Sequence, residues 1–303
     1  MLTCKSPWRV MKVAYEAARR VLPAHSHRFS RKDFTLPQLF ACLVLREHQN
    51  KSYRGVEALL VDTDWCQKLG MKKVPDHNTL CRAFDVIIKG RFINRLMDLL
   101  IQWMRDKSGR MLAIDSSLYD THHRSRHYEQ RCRHMSSKHQ KTADSRRSRS
   151  ARRTPKLGIG VDTRTHLIYS GRSKTGMGSD CPDFDPLLRD AMKRRRFKVV
   201  LADAGYDSES NHRLAREGLK VRSLIKTGGG RPTNKPPSAR YRRLMHRQLA
   251  GSQKGKPYGQ RAQVETVNSM LKRNLGDSLR CRSAGRRRKE QLFRVLVHNI
   301  MIV

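Results

Sequence analysis

Apolar positions in residues 1 to about 108 recur at helical intervals. "DFTLPQLFACLVLREHQN", "SYRGVEALLVDTDWCQKLG" and "DHNTLCRAFDVIIKGRFINRLMDLLIQWMRD" all follow that spacing, with turns at Gly70 and Val74-Pro75. The pattern predicts a bundle of short helices. In "PDHNTLCRAF" either Asp76 or Asn78 can cap the helix that begins there. This stretch has the look of the second helix of a helix-turn-helix, and equally of a helix that only packs or dimerises.

After "DKSGR" the apolar runs shorten to strand length. "MLAIDSSLY" (111–119), "KLGIGVDTRTHLIYSGRS" (156–173), "FKVVLADAGYD" (197–207) and "LKVRSLIKT" (219–227) predict a second, α/β part. The expected organisation is a small helical domain over 1–108 and a mixed α/β domain over 109–303. Two segments interrupt the second part. Residues of about 122–153 are rich in Arg, Lys, Ser and His, with almost no large aliphatic residue to bury, and are expected to be a disordered basic loop. "TGGGRPTNKPPSARYRR" (227–243) holds three consecutive glycines and three prolines and is expected to lack regular structure.

Charge narrows the class of partner. With 65 Lys and Arg against 26 Asp and Glu, the net charge is +39, and a field of that sign draws polyanions, with nucleic acid first among them. No apolar run reaches the roughly 20 residues of a membrane-spanning helix, and the N-terminus has no signal-peptide core. The expected location is the cytoplasm. Seven cysteines (Cys4, Cys42, Cys66, Cys81, Cys132, Cys181 and Cys281) are scattered without a C-x2-C pair, as free thiols of a reducing compartment would be. His122, His123, His127, Cys132, His134 and His139 are gathered in one stretch, but at spacings that fit no familiar zinc finger.

Two strands run into an aspartate. Met111-Leu112-Ala113-Ile114 ends at Asp115, and Val199-Val200-Leu201-Ala202 ends at Asp203. An unbroken apolar run is what a central strand covered on both faces looks like, so a carboxylate at its end emerges where the core opens. Each aspartate alone is equally explained as a cap or turn residue. Asp207 is expected to cap the helix near "SESNHRLAREG", and Asp162 to serve the turn between two strand runs.

The third carboxylate lies in "YGQRAQVETVNSMLKRNLG" (258–276), helical in pattern from Gln260 to Leu275. At 100° per residue, Arg261, Glu265 and Lys272 fall within about 40° of one another, beside an apolar face of Val264, Val267, Leu271 and Leu275. An i, i+4 ion pair between Arg261 and Glu265 accounts for two of these residues. Three carboxylates converging from two strands and a helix would instead hold one or two Mg²⁺ ions, and cations on the next turns would take the DNA backbone.

Tyr258-x2-Arg261-x3-Glu265-x6-Lys272 resembles, at every position, the Y-x2-R-x3-E-x6-K signature of bacterial insertion-sequence transposases of the DDE class. "AIDSS" and "LADAGYDS" are similar to that family's two aspartate segments and occur in the same order, 88 and then 62 residues separating Asp115, Asp203 and Glu265. Such spacing suits compact members without a large inserted β domain. The resemblance implies a ribonuclease H-like catalytic domain. It implies Asp115, Asp203 and Glu265 as the catalytic, metal-binding triad, served by two Mg²⁺ ions or by Mn²⁺. Tyr258, Arg261 and Lys272, with the adjoining Arg273, would contact DNA. The implied activity is cleavage at the terminal inverted repeats of a mobile element, then joining of the 3′-hydroxyl ends to target DNA, by a homodimer in the bacterial nucleoid. A nuclease of the same fold that does not join ends, and an inactive DNA-binding relative, are the alternatives.

Overall fold

Ser6, Thr35, Ser52 and Asp76 each place a side-chain oxygen over a helix start and accept an amide that the helix itself cannot satisfy. They begin α1 (Pro7–Val21), α2 (Leu36–His48), α3 (Tyr53–Val61) and α5 (His77–Ile87). Asp76 is the cap the sequence offers, accepting from Asn78 and Thr79 at 2.8 and 2.9 Å. The short α4 (Trp65–Lys68) precedes the turn at Gly70, whose φ is 72°. The long apolar run after Asp76 divides at Ile88-Lys89 into α5 and α6 (Gly90–Trp103). All thirteen residues of α2 are buried, so this helix runs through the middle of the helical part.

The computed structural model describes residues 3–122, 154–176, 178–228, 237–250 and 257–303. The basic segment beyond His122, with the histidine cluster and Cys132, lies outside the described residues, as do the three glycines' last two members and the prolines up to Pro236. The other cysteines are free thiols.

A five-stranded sheet carries the second part. Its strands are β1 (Met111–Leu118), β3 (Pro155–Asp162), β4 (Ile168–Thr175), β5 (Val199–Ala202) and β6 (Arg222–Ile225), in the order β4-β3-β1-β5-β6. β3 pairs antiparallel with both β1 and β4, while β1-β5 and β5-β6 are parallel. A small second pair, β2 (Asp120–Thr121) with β7 (Ser278–Leu279), ties the chain after β1 to the chain before the last helix. Between the strands run α7 (Phe184–Arg194), α8 (Glu209–Arg213) and α9 (Arg240–Gln248), and after them come α10 (Ala262–Leu275) and α11 (Ala284–Ile302).

Alternation along β1 divides the core in two. Leu112 and Ile114 join Phe184, Leu187 and Leu188 of α7 on one face. Ala113 joins Val264, Val267 and Leu271 of α10 on the other. β5 alternates likewise, with Val200 and Ala202 toward α7 and Leu201 toward α10. This is the period-2 geometry of strands covered on both faces.

Three local expectations are corrected. The helix of the signature segment starts at Ala262 rather than Gln260, because Pro257–Arg261 forms a tighter 3-10 turn first. Ser208, not Asp207, caps α8, and Asp207 instead accepts from the Gly228 amide and Arg242 at 2.9 Å each. Residues from Arg240 onward are helical despite the breakers before them. The Glu209 carboxylate accepts the Tyr241 and Arg242 amides and so caps α9 from a distant segment, which local sequence does not reveal.

The helical part and the sheet are joined through buried charge. Arg294 of α11 is fully buried and donates from Nε to Glu47 of α2 at 2.7 Å. Its Nη1 reaches the Gly276 carbonyl at 2.7 Å, and its Nη2 reaches the Ser278 carbonyl at 2.9 Å and Glu290 at 3.1 Å. Removing one partner of a buried pair leaves an uncompensated charge, at a cost of about 3–5 kcal/mol. Arg294→Met is therefore expected to lower unfolding free energy by that amount in urea denaturation, and Glu47→Gln, which keeps a hydrogen-bond acceptor, by less.

Candidate active site

β1 and β5 are parallel neighbours in the register Ile114 to Ala202, and the next residue on each, Asp115 and Asp203, lies just past that paired stretch. β5 ends there, but β1 continues to Leu118 with Asp115 paired to Ile159 of β3, so Asp115 does not end its strand as its apolar run suggests. Alternation then sends both aspartates toward the α10 face, the side of Ala113 and Leu201. Asp115 is half-buried, and burial, with further repulsion from Asp203 and Glu265, raises its carboxyl to about 6. Asp203 is raised as well, by burial first and by Asp180 and Glu265 in addition. Its side chain accepts the Gly205 amide at 3.0 Å, which fixes it over the turn that follows β5. Both carboxylates thus stand where burial disfavours their charge, with Arg261 offsetting part of that cost.

Tyr258 and Arg261 arrive on the 3-10 turn and Glu265 on the first turn of α10. The Tyr258 hydroxyl donates to the Ala202 carbonyl at 3.3 Å, one residue from Asp203, and burial raises its pKa. Arg261 and Glu265 form the ion pair that their spacing alone suggests, at 2.7 Å. Burial works against the Arg261 charge, but Glu265 beside it outweighs that and holds its pKa up. The Glu265 side chain is 53% exposed, so this pair is worth only a few tenths of a kcal/mol. The Lys272 ammonium lies 5.6 Å from the Tyr119 ring centre, and Arg273 is exposed. The apolar face of α10 is as the spacing indicates, with Val264, Val267, Leu271 and Leu275 fully buried.

Among the described residues, no three His, Cys, Asp or Glu side chains are grouped closely enough to hold a metal ion as they stand. The donor chemistry nevertheless fits a hard divalent cation. Asp115 and Asp203 offer carboxylate oxygens in an environment that disfavours their charge, which is what a cation would relieve. Glu265 is engaged with Arg261 through Oε1. A cleft of about 620 Å³ lined by Arg110, Arg164 and Arg195 lies at the opposite end of β1 and contains none of the three carboxylates.

Two residues near the site had no motif to mark them. Asp180, paired with Lys156, adds to the charge felt by Asp203. Asn268 is buried on the apolar face of α10 and donates from Nδ2 to Asp115 at 3.1 Å. A polar residue one turn after Glu265, among valines and leucines, is the signal that would have found it.

Because the Asp115 pKa is higher in the folded chain than its ordinary value of 3.8, its contribution to stability is complete below pH 3.8 and is lost as pH rises through about 6. In metal-free protein at pH 7.5, Asp115→Asn is expected to raise unfolding free energy by about 3 kcal/mol at most, from about 1.4 kcal/mol per pKa unit. The gain should disappear below pH 4, which thermal melts across that range will show.

The model of the transposase DDE domain matches residues 106–300, from just before β1 to near the end of α11. No match is found among curated proteins. The matched span contains the whole sheet, both aspartates and α10, and it makes up well over half of the chain. That family has a ribonuclease H-like fold, and the central β1 with antiparallel β3 and β4 on one side and parallel β5 and β6 on the other accords with it. The chain belongs to the DDE transposase domain family.

Proposed function

We propose that this transposase cleaves DNA at the terminal inverted repeats of its own mobile element and joins the freed 3′-hydroxyl ends to target DNA. The observation that carries the proposal is the pair of half-buried carboxylates, Asp115 and Asp203, just past the paired stretch of two adjacent parallel strands and facing the helix that bears Glu265. Asp115, Asp203 and Glu265 are the catalytic residues and would hold two Mg²⁺ ions, or Mn²⁺ in their place. Bound there, the ions would lower the pKa of the attacking hydroxyl and offset charge on the phosphodiester oxygens.

The remaining steps belong to the chain's own side chains. Arg261 holds Glu265 in the DNA-free protein, and the weakness of an exposed pair lets both partners exchange. A backbone phosphate takes Arg261, and Glu265 turns to the aspartates. Tyr258, fixed over the Ala202 carbonyl, stands beside the same phosphate. Lys272 and the exposed Arg273 extend the positive edge of α10 along the DNA. The net charge of +39 supplies long-range attraction. Residues 1–108 contribute DNA binding or dimerisation, and a dimer brings two ends together. No helix among the described residues is long and apolar enough to cross a membrane.

The test is an end-labelled terminal-repeat duplex incubated with Mg²⁺ and a target plasmid. Cleavage together with a joined product is expected. Cleavage without joining would identify a nuclease, and neither product would identify an inactive relative. Asp115→Ala, Asp203→Ala and Glu265→Gln should each reduce both products by more than about 100-fold, the upper cost of losing even an outer partner of a metal site. Lys272→Ala should leave the reaction's products unchanged in kind, while lowering the slope of log affinity against log salt by about one, measured by DNA-binding titration.

A further inference from the structure

Asn268 is 7% exposed and sits on the face of α10 that otherwise buries Val264, Val267, Leu271 and Leu275. An amide in such surroundings is costly unless its polar atoms are bonded. Its Nδ2 is bonded, to the Asp115 carboxylate at 3.1 Å, and its Oδ1 has no partner among the described residues. A side chain kept only to tie a helix to a strand would be expected to have both ends satisfied, as nearly all buried polar groups are. The one bond it makes is also the one a carboxylate can accept, since an ionised Asp115 has no proton to give.

Its position on the helix gives that bond a consequence. Asn268 lies three residues after Glu265, so the two side chains project from neighbouring turns of the same helix. The bond to Asp115 therefore spans the gap between β1 and α10, the two elements that must approach for the strand and helix carboxylates to share a ligand. Together with the Ser116 amide it fixes the rotation of the Asp115 carboxylate. Asp203 has its own fixed donor, the Gly205 amide, while the side chain of Asp115 has Asn268 from α10 beside the Ser116 amide of its own strand.

We infer that Asn268 is a positioning residue of the catalytic centre, orienting the Asp115 carboxylate from α10 and setting the spacing of β1 from the helix that carries Glu265. The inference rests on the reading of Asp115, Asp203 and Glu265 as a divalent-cation site. Asn268 acts on that site through Asp115, as the outer partners of metal-binding carboxylates do, and the loss of such a partner weakens metal binding about 10- to 100-fold.

The experiment uses the full chain, with Mn²⁺ as the probe, its binding followed by electron paramagnetic resonance in the absence of DNA. Asn268→Leu keeps the side chain's size and branching and removes the donor. Asn268→Gln keeps a donor on a longer arm. The Mn²⁺ dissociation constant is expected to rise about 10- to 100-fold for Asn268→Leu and less for Asn268→Gln. The Mg²⁺ concentration giving half-maximal cleavage should move in the same order. Circular dichroism melts check that each variant is folded. If Asn268→Leu does not fold, Asn268→Gln decides: weaker Mn²⁺ binding supports the inference and unchanged binding overturns it. Unchanged Mn²⁺ binding in a folded Asn268→Leu overturns it whatever happens to stability. Wild-type protein that binds Mn²⁺ through Asp115 and Asp203 but neither cuts nor joins DNA would overturn the proposed reaction while leaving the role of Asn268 standing. Wild-type protein that binds no Mn²⁺ would overturn both.

Discussion

Arg294 has five N–H donors, and its burial leaves no water to receive them. Four acceptors from three parts of the chain meet it: Glu47 from α2, Glu290 from its own helix, and the Gly276 and Ser278 carbonyls from the turn after α10. Glu290 in turn accepts the Arg280 and Cys281 amides at 2.9 Å. The turn after α10 is therefore held at one point to the helical part and to α11. Gly276 makes that turn possible, since its φ of 90° is open to glycine and strained for other residues. The far end of α10 carries Glu265, so the distance of that carboxylate from the sheet depends on where this buried guanidinium anchors the helix.

The same helix lies over β1, and the two kinds of charge found there differ in strength. Asp115 and Asp203 are half-buried, and burial raises their pKa values, with neighbouring carboxylates adding to it and Arg261 offsetting part. The Arg261–Glu265 pair is open to water on its Glu265 side and weak. On the proposed reading, a cation beside the aspartates would relieve their disfavoured charge, while drawing Glu265 away from Arg261 would cost little. That imbalance favours a site completed by its ligands over one assembled beforehand. On the same reading, local stability is given up at Asp115 to hold charge at the reacting centre, a common trade at functional sites.

Much of this is legible in the linear chain because strands and helices have fixed periods. The run Val199-Val200-Leu201-Ala202 is a strand covered on both faces, and the period of two sets which face Asp115 and Asp203 share once β1 and β5 pair. Asp76 caps α5 through its own neighbours, and the valines and leucines of α10 mark its buried face. Where a local signal was answered by a distant group, the sequence was silent or misleading. Arg240 begins a helix because Glu209 caps it, and Asp207 is drawn from its expected cap position to Gly228 and Arg242. Arg294 and Glu47 are 247 residues apart, and nothing near either one indicates the other.

The sequence by itself determined the elements, the faces they bury and the family signature, because each follows from spacing within one turn or one strand. Only the tertiary structure decided what the carboxylates meet. It placed Asn268 against Asp115, set Glu265 on Arg261, and half-buried the two aspartates so that their charge is disfavoured. The physical reason is that periodicity fixes direction, whereas distance and electrostatic environment arise from packing between segments remote in the chain, here β1 and a helix more than 140 residues beyond it.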